Sequence, residues 1–140
     1  MRKITMLALT ALCSTSVLAA GNDTIFACTA TNGTPIEVKK VGSDYQFKYG
    51  KTAFKNAIKD VLRNPSSYIA TGSGFVTNSL EMKNKGYSYI IQFVQPRNAL
   101  TMIDDPNLYI EKGNNAETVQ CDVKMPVIQN FDTKAMRPGP

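Results

Sequence analysis

Histidine is absent from the 140-residue sequence, and its absence removes several kinds of chemistry at once. Without histidine the chain lacks the commonest general base and the commonest zinc ligand, and it cannot form a Ser-His-Asp or a Cys-His arrangement. The G-x-S-x-G pattern of a nucleophile elbow is also missing, so we interpret Ser73, within Thr71–Gly74, as part of a glycine-permitted turn or bulge. We therefore predict a protein that is not an enzyme and needs no cofactor.

Two enzymatic alternatives remain on composition alone, and no spacing signal favours either. One is a Ser-Lys pair built on Ser73, and the other is a pair of carboxylates drawn from Glu37, Glu81 and Glu111 on separate predicted strands. A metal site has no better support, because the acidic run Asp104–Asn107 lacks the glycine, the spacing and the final glutamate of a calcium loop. We interpret that run as an Asp-Pro turn, and we predict no metal.

The first twenty residues, MRKITMLALTALCSTSVLAA, have the three regions of a secretory signal. Arg2 and Lys3 form the positive start, Ile4–Leu18 is mostly apolar, and small residues lead to a cleavage site after Ala19 or Ala20. The apolar run is too short and too rich in serine and threonine to anchor the chain in a bilayer. These features predict a periplasmic or secreted protein with no transmembrane span in the mature chain.

Few cysteines and a small positive charge remain once the predicted signal, residues 1–20, is removed. The full sequence has 16 Lys+Arg, 11 Asp+Glu and a net charge of +5, and the loss of Arg2 and Lys3 leaves a net charge of +3. Two of the three cysteines stay in the mature chain, Cys28 and Cys121. In an oxidising compartment two cysteines near the ends of the patterned region predict one disulfide.

Alternation of apolar and polar residues predicts short antiparallel strands over much of the mature chain. Asn32-Gly33 is a strong hairpin signal, and the uninterrupted run Gly86–Val94 has the strongest strand character. We expect a mainly β fold, a small antiparallel sandwich or barrel in one domain over residues 21–122, with the disulfide joining the first and last strands. The predicted strands are 25–30, 34–41, 45–49, 75–83, 86–94, 108–112 and 116–121.

Two segments depart from this alternation. Within Lys51–Arg63 apolar residues recur at three- and four-residue spacing, which predicts one amphipathic helix of about 12 residues that needs packing against the sheet to persist. Asn64-Pro65 is expected to end the helix. Residues 123–140 contain three prolines and no strong period, which indicates an extended or disordered tail whose apolar residues are free to dock on the domain or on a partner.

Lys51, Lys55, Lys59 and Arg63 recur every four residues on the predicted helix, and we call these four residues the basic stripe. One interpretation is a solvated face. The other is a docking surface for an acidic partner, either an acidic protein or an anionic envelope surface such as lipid headgroups or lipopolysaccharide phosphates. A nucleic acid is disfavoured, because the stripe is short and no nucleic-acid motif accompanies it.

Two tyrosines are further candidates for a binding surface. Tyr87 and Tyr89 lie two residues apart, so they share one face of a predicted strand. Tyrosine combines a large apolar ring with a hydroxyl, and it serves both in cores and on binding surfaces. Both interpretations remain open for this pair.

Four short motifs occur in a fixed order: F-x-C ending at Cys28, Y-x-F-x-Y-G-K over Tyr45–Lys51, N-x-G-Y-x-Y-I-I over Asn84–Ile91, and V-x-C ending at Cys121. This order resembles a widespread group of small secreted bacterial β-proteins of unassigned function with one terminal disulfide. The resemblance implies a compact β-domain with one disulfide, and it implies nothing about chemistry. The stretch after Gly50 departs from the group, because it looks helical here.

A weaker similarity links the chain to the periplasmic inhibitors of C-type lysozyme. Those inhibitors are small β-barrels with a terminal disulfide and a Ser-Gly-Ser-Gly-like loop that enters the lysozyme cleft. Thr71–Gly74 is the local match, so the resemblance implies Ser73 as the inserting residue. The positive net charge argues against it, since lysozyme is itself cationic.

Taken together, these features predict a non-enzymatic, secreted or periplasmic binding protein that acts through protein–protein contact. An inhibitor, an immunity protein and an envelope-associated factor all fit this prediction. The alternative is a host-directed secreted factor or a subunit of an envelope assembly. The candidate binding residues are the basic stripe, Ser73, Tyr87 and Tyr89.

Overall fold

Ten β-strands and one short helix form the regular structure of residues 23–140, the part of the chain that the computed structural model describes. The predicted signal, residues 1–20, lies outside the described residues. The longest strands occur where the sequence alternates without a break. The elements are, in chain order, β1 Thr24–Thr29, β2 Pro35–Val41, β3 Asp44–Tyr49, β4 Thr52–Ala57, α1 Ile58–Val61, β5 Tyr68–Thr71, β6 Phe75–Asn84, β7 Tyr87–Pro96, β8 Asp104–Lys112, β9 Asn115–Gln120 and β10 Ile128–Gln129.

Two five-stranded antiparallel sheets form the layers of a sandwich. The first sheet has the strand order β10-β1-β2-β3-β4, and the second has the order β5-β6-β7-β8-β9. Most neighbouring strands are also consecutive in sequence, because short turns join them. One such turn is Lys85-Gly86, in which both residues have positive φ (51° and 81°), as a two-residue hairpin loop of this kind requires. The predicted mainly β antiparallel sandwich is confirmed.

The core lies between the sheets, because the apolar side chains that alternate along each strand point inward. Phe26 of the first sheet stacks on Phe93 of the second with ring centroids 6.0 Å apart. Burying one such side chain contributes about 1.5–3 kcal/mol to folding, so this layer is the main source of stability. The fully buried large apolar side chains include Phe26, Ile36, Val38, Phe47, Leu80, Met82, Ile91, Phe93 and Leu108.

The predicted disulfide between Cys28 and Cys121 is also confirmed. Cys28 lies in β1, and Cys121 directly follows β9, so the bond ties the first sheet to the second. Both cysteines are buried, and their Cα atoms are 5.9 Å apart. A disulfide of this kind is typical of proteins from oxidising compartments, and it fits an extracellular or periplasmic location.

The helix predicted over Lys51–Arg63 is mostly wrong, because its first half is strand β4 and α1 covers only Ile58–Val61. Phe54 pairs with Phe47 of β3, and its ring packs 5.0 Å from those of Phe47 and Tyr89. An isolated helix of about 12 residues is marginal in water. Pairing of this segment with β3 therefore prevails over the helical spacing of its apolar residues. No helix within residues 23–140 is long and apolar enough to cross a membrane.

Residues 123–140 run along both sheets. β10 pairs with β1, and Phe131 is 8% exposed within the core. Farther on, Ile69 of β5 forms a parallel bridge with Pro138 and accepts a hydrogen bond at its carbonyl from the Gly139 N–H at 2.8 Å. A Cβ at position 139 would collide with the ring of Tyr68, so glycine is required there. The sequence left the apolar residues of this segment free to dock on the domain or on a partner, and in the structure they pack on the domain.

Side chains replace a partner strand along the second half of β6. β5 pairs only with residues 76–79, which leaves the backbone of Glu81 and Lys83 on a free edge. The Asn56 amide donates to the Lys83 carbonyl at 2.9 Å and accepts from the Lys83 N–H at 2.8 Å. The Glu81 N–H donates to the Ser67 hydroxyl at 2.9 Å, and its carbonyl accepts from the Asn64 amide at 2.7 Å. These contacts close the sandwich where β4 approaches β6.

Replacement of Asn56 by alanine is expected to lower the free energy of unfolding by about 1–2 kcal/mol, because both backbone groups of Lys83 lose their partner. Urea unfolding of the variant checks this value. Asn114→Ala, an identical substitution in an exposed turn, is the matched control and should shift stability by less than about 0.5 kcal/mol. Equal stability of the two variants would show that the β4–β6 closure contributes nothing.

Candidate functional site

The outer face of the first sheet brings together three lysines, Lys39, Lys48 and Lys55, which we call the basic face. Strand register places Lys39 beside Gln46 and Gln46 beside Lys55, while Lys48 projects on the same side from the middle strand, β3. Adjacent strands lie about 4.8 Å apart, so Lys39 and Lys55 are separated by about 10 Å. Three like charges on one flat face produce a positive potential that attracts acidic partners.

Two carboxylates share the outer face with the basic face, Glu37 on β2 and Asp44 on β3. Lys39 forms an ion pair with Glu37, with the Nζ and Oε1 atoms 3.5 Å apart. This is the single ion pair within residues 23–140, although register also places Glu37 directly opposite Lys48. An exposed pair of this kind contributes little to stability, about 0–1 kcal/mol. The lysines of this face outnumber its carboxylates, and Lys55 has a neutral residue, Gln46, as its cross-strand neighbour, so the face keeps a positive excess for an external partner.

An apolar groove of about 250 Å³ lies on the same outer face, at the β10-β1-β2 end. Ala27, Pro35, Met125 and Ile128 supply much of its lining, and Glu37 forms one wall. Register places Glu37 between Ala27 of the groove and Lys48 of the basic face. The groove and the basic face are therefore continuous, with Glu37 at their boundary.

The basic stripe does not form one line in the structure. Lys51 lies in the β3–β4 turn, Lys55 points outward from β4, Lys59 is in α1, and Arg63 is in the turn after the helix. Lys55 joins the basic face, whereas Lys59 lines a separate cavity of about 380 Å³ together with Lys40. The alternation of each strand already indicated that Lys39 and Lys48 point outward. Their proximity to Lys55 depends on the register of β2, β3 and β4, which the sequence does not show.

Ser73 lies far along the chain from the basic face, in an exposed loop between β5 and β6 of the other sheet. The Gly72 N–H donates to the Phe75 carbonyl at 2.8 Å, and the Arg97 N–H donates to the Gly74 carbonyl at 3.0 Å. These bonds fix a tight turn and attach it to the loop after β7. Phe75 is 56% exposed beside this turn, so the loop presents an apolar side chain as well as a hydroxyl.

The two tyrosines have different environments. Tyr89 is 8% exposed and packs on Phe47 at a centroid distance of 4.9 Å, so it belongs to the core. Burial, with a smaller contribution from Tyr87, raises the pKa of the Tyr89 hydroxyl, although a hydrogen bond with Thr52 lowers it. Tyr87 is 38% exposed at the rim, with the Lys112 ammonium 4.5 Å from its ring centroid. This cation–π contact occupies one face of the ring.

The acidic run Asp104–Asn107 is not a turn, because β8 begins at Asp104. Between the pairs Gln92–Asn107 and Val94–Asp104, β8 has one residue more than β7, which defines a bulge. Asp105 has a φ of 49°, and Pro106 occupies the bulge, where no ladder N–H is needed. Within residues 23–140 no group of three or more cysteine, aspartate or glutamate side chains is arranged to hold a metal ion.

A scan against models of protein families, a search of curated proteins and a search of solved structures each found no match to this chain. The resemblances to small secreted bacterial β-proteins and to lysozyme inhibitors therefore stay predictions.

Proposed function

We propose that the protein is a non-enzymatic, periplasmic or secreted binding protein, and that the outer face of its first sheet contacts an acidic protein. The observation that supports this proposal most directly is the continuity of the apolar groove with the basic face across Glu37. The disulfide and the secretory pattern of residues 1–20 support the location. An inhibitor, an immunity protein or an envelope-associated factor would each use such a surface.

The combination of groove and charge favours a protein partner over a membrane. Protein interfaces place a few anchoring side chains in desolvated pockets and surround them with polar contacts. A groove of about 250 Å³ has room for one large apolar side chain of a partner. Peripheral membrane elements instead combine lysines with exposed aromatic side chains, whereas the cross-strand neighbours of the lysines on this face are Gln46, Ala53 and the acidic Glu37. The partner is therefore a protein segment with an apolar anchor next to acidic residues.

Reversing the charge of the three lysines of the basic face tests whether electrostatic attraction contributes to partner binding. The mature protein, immobilised and exposed to periplasmic extract at low salt, is expected to capture a saturable protein partner. The triple variant Lys39→Glu, Lys48→Glu and Lys55→Glu should bind that partner at least about tenfold more weakly, because attraction becomes like-charge repulsion. Quantitative binding of the purified partner by surface plasmon resonance gives the measurement.

The matched control reverses Lys83, Lys85 and Lys112, three exposed lysines outside the basic face, and it produces the same net charge. This control should retain the affinity of the wild type. Ala27→Phe, which fills the groove without a charge change, should weaken capture of a protein but not adsorption to anionic vesicles. Equal binding by both triple variants, or capture of membrane material alone, would overturn the proposal.

A further inference from the structure

The outer face of the second sheet carries a row of neutral polar side chains, one from each of its five strands. Register places Tyr68 beside Ser79, Ser79 beside Gln92, Gln92 beside Asn107, and Asn107 beside Gln120. We call these five residues the polar row. Four strand spacings of about 4.8 Å give the row a length of about 19 Å.

The polar row is not simply a solvated surface, because several of its members are buried. Ser79 and Asn107 are 0% and 4% exposed, and Tyr68 and Gln92 are half-buried. Burial of polar groups is costly unless they form hydrogen bonds, so this face has a specific polar organisation. The Ser79 hydroxyl satisfies this requirement by donating to the Ser66 carbonyl at 2.6 Å.

Two cavities lie over the polar row. The first, of about 260 Å³, covers the β5–β7 end, and the second, of about 280 Å³, opens where Asn107 and Gln120 lie side by side. The row therefore carries two separate concave sites, and the lining of the second includes the acidic residues Asp105 and Asp122. The first cavity is lined by Ser66, Tyr68, Ser79, Ile90, Gln92, Tyr109 and Glu111.

Hydrogen bonds along the row leave donors and acceptors free for a ligand. The Gln92 amide donates to the Tyr68 hydroxyl oxygen at 3.4 Å, and the Asn107 amide donates to the Tyr109 hydroxyl oxygen at 3.4 Å. Each phenol oxygen thus accepts a bond and keeps its own proton to donate outward.

The Asn107 side-chain carbonyl also lacks a partner, and it is closed to solvent. Its Nδ2 donates to the Asp105 carboxylate at 2.8 Å and to the Asp105 carbonyl at 3.1 Å, which fixes the orientation of the amide. Its Oδ1 is the one buried side-chain oxygen or nitrogen within residues 23–140 that has no hydrogen-bond partner. A buried acceptor left without a partner is costly, so the end of the row beside the second cavity is polar and incompletely satisfied.

The chemistry of the lining selects the class of ligand. Glu111 is the one charged side chain that lines the first cavity, so phosphates and other anions are repelled rather than bound. Ile90 is its one aliphatic residue, which leaves little apolar surface for a lipid or an apolar side chain. What remains is a set of hydroxyls, amides and tyrosine rings. These groups match a ligand with many neutral hydroxyls and flat C–H faces.

We propose that the polar row is a binding site for a neutral saccharide chain. Sugar hydroxyls donate to the Glu111 carboxylate and accept from the Tyr68 and Tyr109 hydroxyls, and the tyrosine rings offer apolar faces to the C–H groups of a pyranose ring. Because cavities lie at both ends of the row, the site takes several linked sugar rings. This site is on the opposite sheet from the basic face, so it is independent of the proposed protein contact.

Isothermal titration calorimetry of the mature protein with cellotetraose, maltotetraose and tetra-N-acetylchitotetraose tests this inference, with glucose and N-acetylglucosamine as the short ligands. We expect at least one tetrasaccharide to bind with a Kd between about 10 µM and 1 mM, and to bind more tightly than its monosaccharide. Tyr109→Phe, which keeps the ring and removes the hydroxyl, should weaken that binding about threefold to tenfold. Gln92→Ala should weaken it by a similar factor.

Lys55→Glu, on the other sheet, is the control and should leave saccharide binding unchanged. Circular dichroism of each variant confirms that the fold is retained. The inference is overturned if none of the tetrasaccharides binds. It is equally overturned if Tyr109→Phe and Gln92→Ala, both folded, bind as well as the wild type, or if a monosaccharide binds as tightly as the chain.

Discussion

Replacing Cys28 and Cys121 together by alanine is expected to lower the free energy of unfolding by about 5–6 kcal/mol, of which about 4–5 kcal/mol is the chain-entropy value for a loop of this size. The two cysteines are 93 positions apart in sequence, so the disulfide restricts most of the described chain when it is unfolded. It also joins β1 of the first sheet to the end of β9 in the second, which makes it a direct covalent link between the two layers. Total stabilities of about 5–15 kcal/mol are usual, so the loss is a large fraction of the whole.

Urea unfolding of the oxidised wild type, the reduced wild type and the double alanine variant separates the contributions. The reduced protein keeps both sulfur atoms and loses only the bond between them, so its loss of stability measures the cross-link. The alanine variant adds a small cavity term of about 1 kcal/mol. A difference below about 1 kcal/mol between oxidised and reduced protein would contradict the expectation.

Truncation of Phe131 to alanine is expected to cost about 3–4 kcal/mol, within the range for large aromatic residues in protein cores. The ring is 8% exposed and meets Phe93 of the second sheet edge-on, with centroids 5.0 Å apart. The preceding residues form β10 on the other sheet, so Phe131 anchors the C-terminal segment to both layers. Its loss should also release β10 from β1.

Two measurements check this prediction. Urea unfolding gives the loss of stability, and hydrogen exchange of the Ala27 amide, opposite Ile128, reports the release of β10. Phe75→Ala is the matched control, because Phe75 is 56% exposed and should cost no more than about 0.5 kcal/mol. If both alanine variants are equally stable, the C-terminal segment is not part of the cooperative unit.

Most strands followed from local sequence, whereas β4, β5 and β10 did not. Period-two alternation and glycine turns located most strands, because each strand has one buried and one solvated face. In residues 51–63 the two periods coincide. Two residues that are four positions apart lie on one face of a helix, and they also lie on one face of a strand. Phe54 and Ile58 have this spacing, and so do Lys51 and Lys55. Pairing with β3 decided the outcome, and that pairing is not encoded in the spacing.

The candidate surfaces were less predictable for the same reason. Lys55 was identified from its spacing, but the basic face also needs Lys39 and Lys48, which only the register of three strands brings beside it. The polar row draws on five strands, and its Gln92–Asn107 step is set next to the bulge at Asp105. The Asp-Pro sequence at that point looked like a turn. A bulge and a turn use the same residue types, and tertiary pairing distinguishes them.

The pairing of β1 with β10 sets the order in which the protein can fold. The Asn130 amide donates to the Thr24 carbonyl across 106 positions of sequence, and Phe26 pairs with Gln129. Contacts of such high separation are slow to form, so folding is expected in milliseconds to seconds rather than microseconds. Until the chain has been made as far as Asn130, one edge of β1 stays open and is able to pair with strands of other chains. A newly made molecule is therefore most prone to aggregate early, before its first strand has met its last.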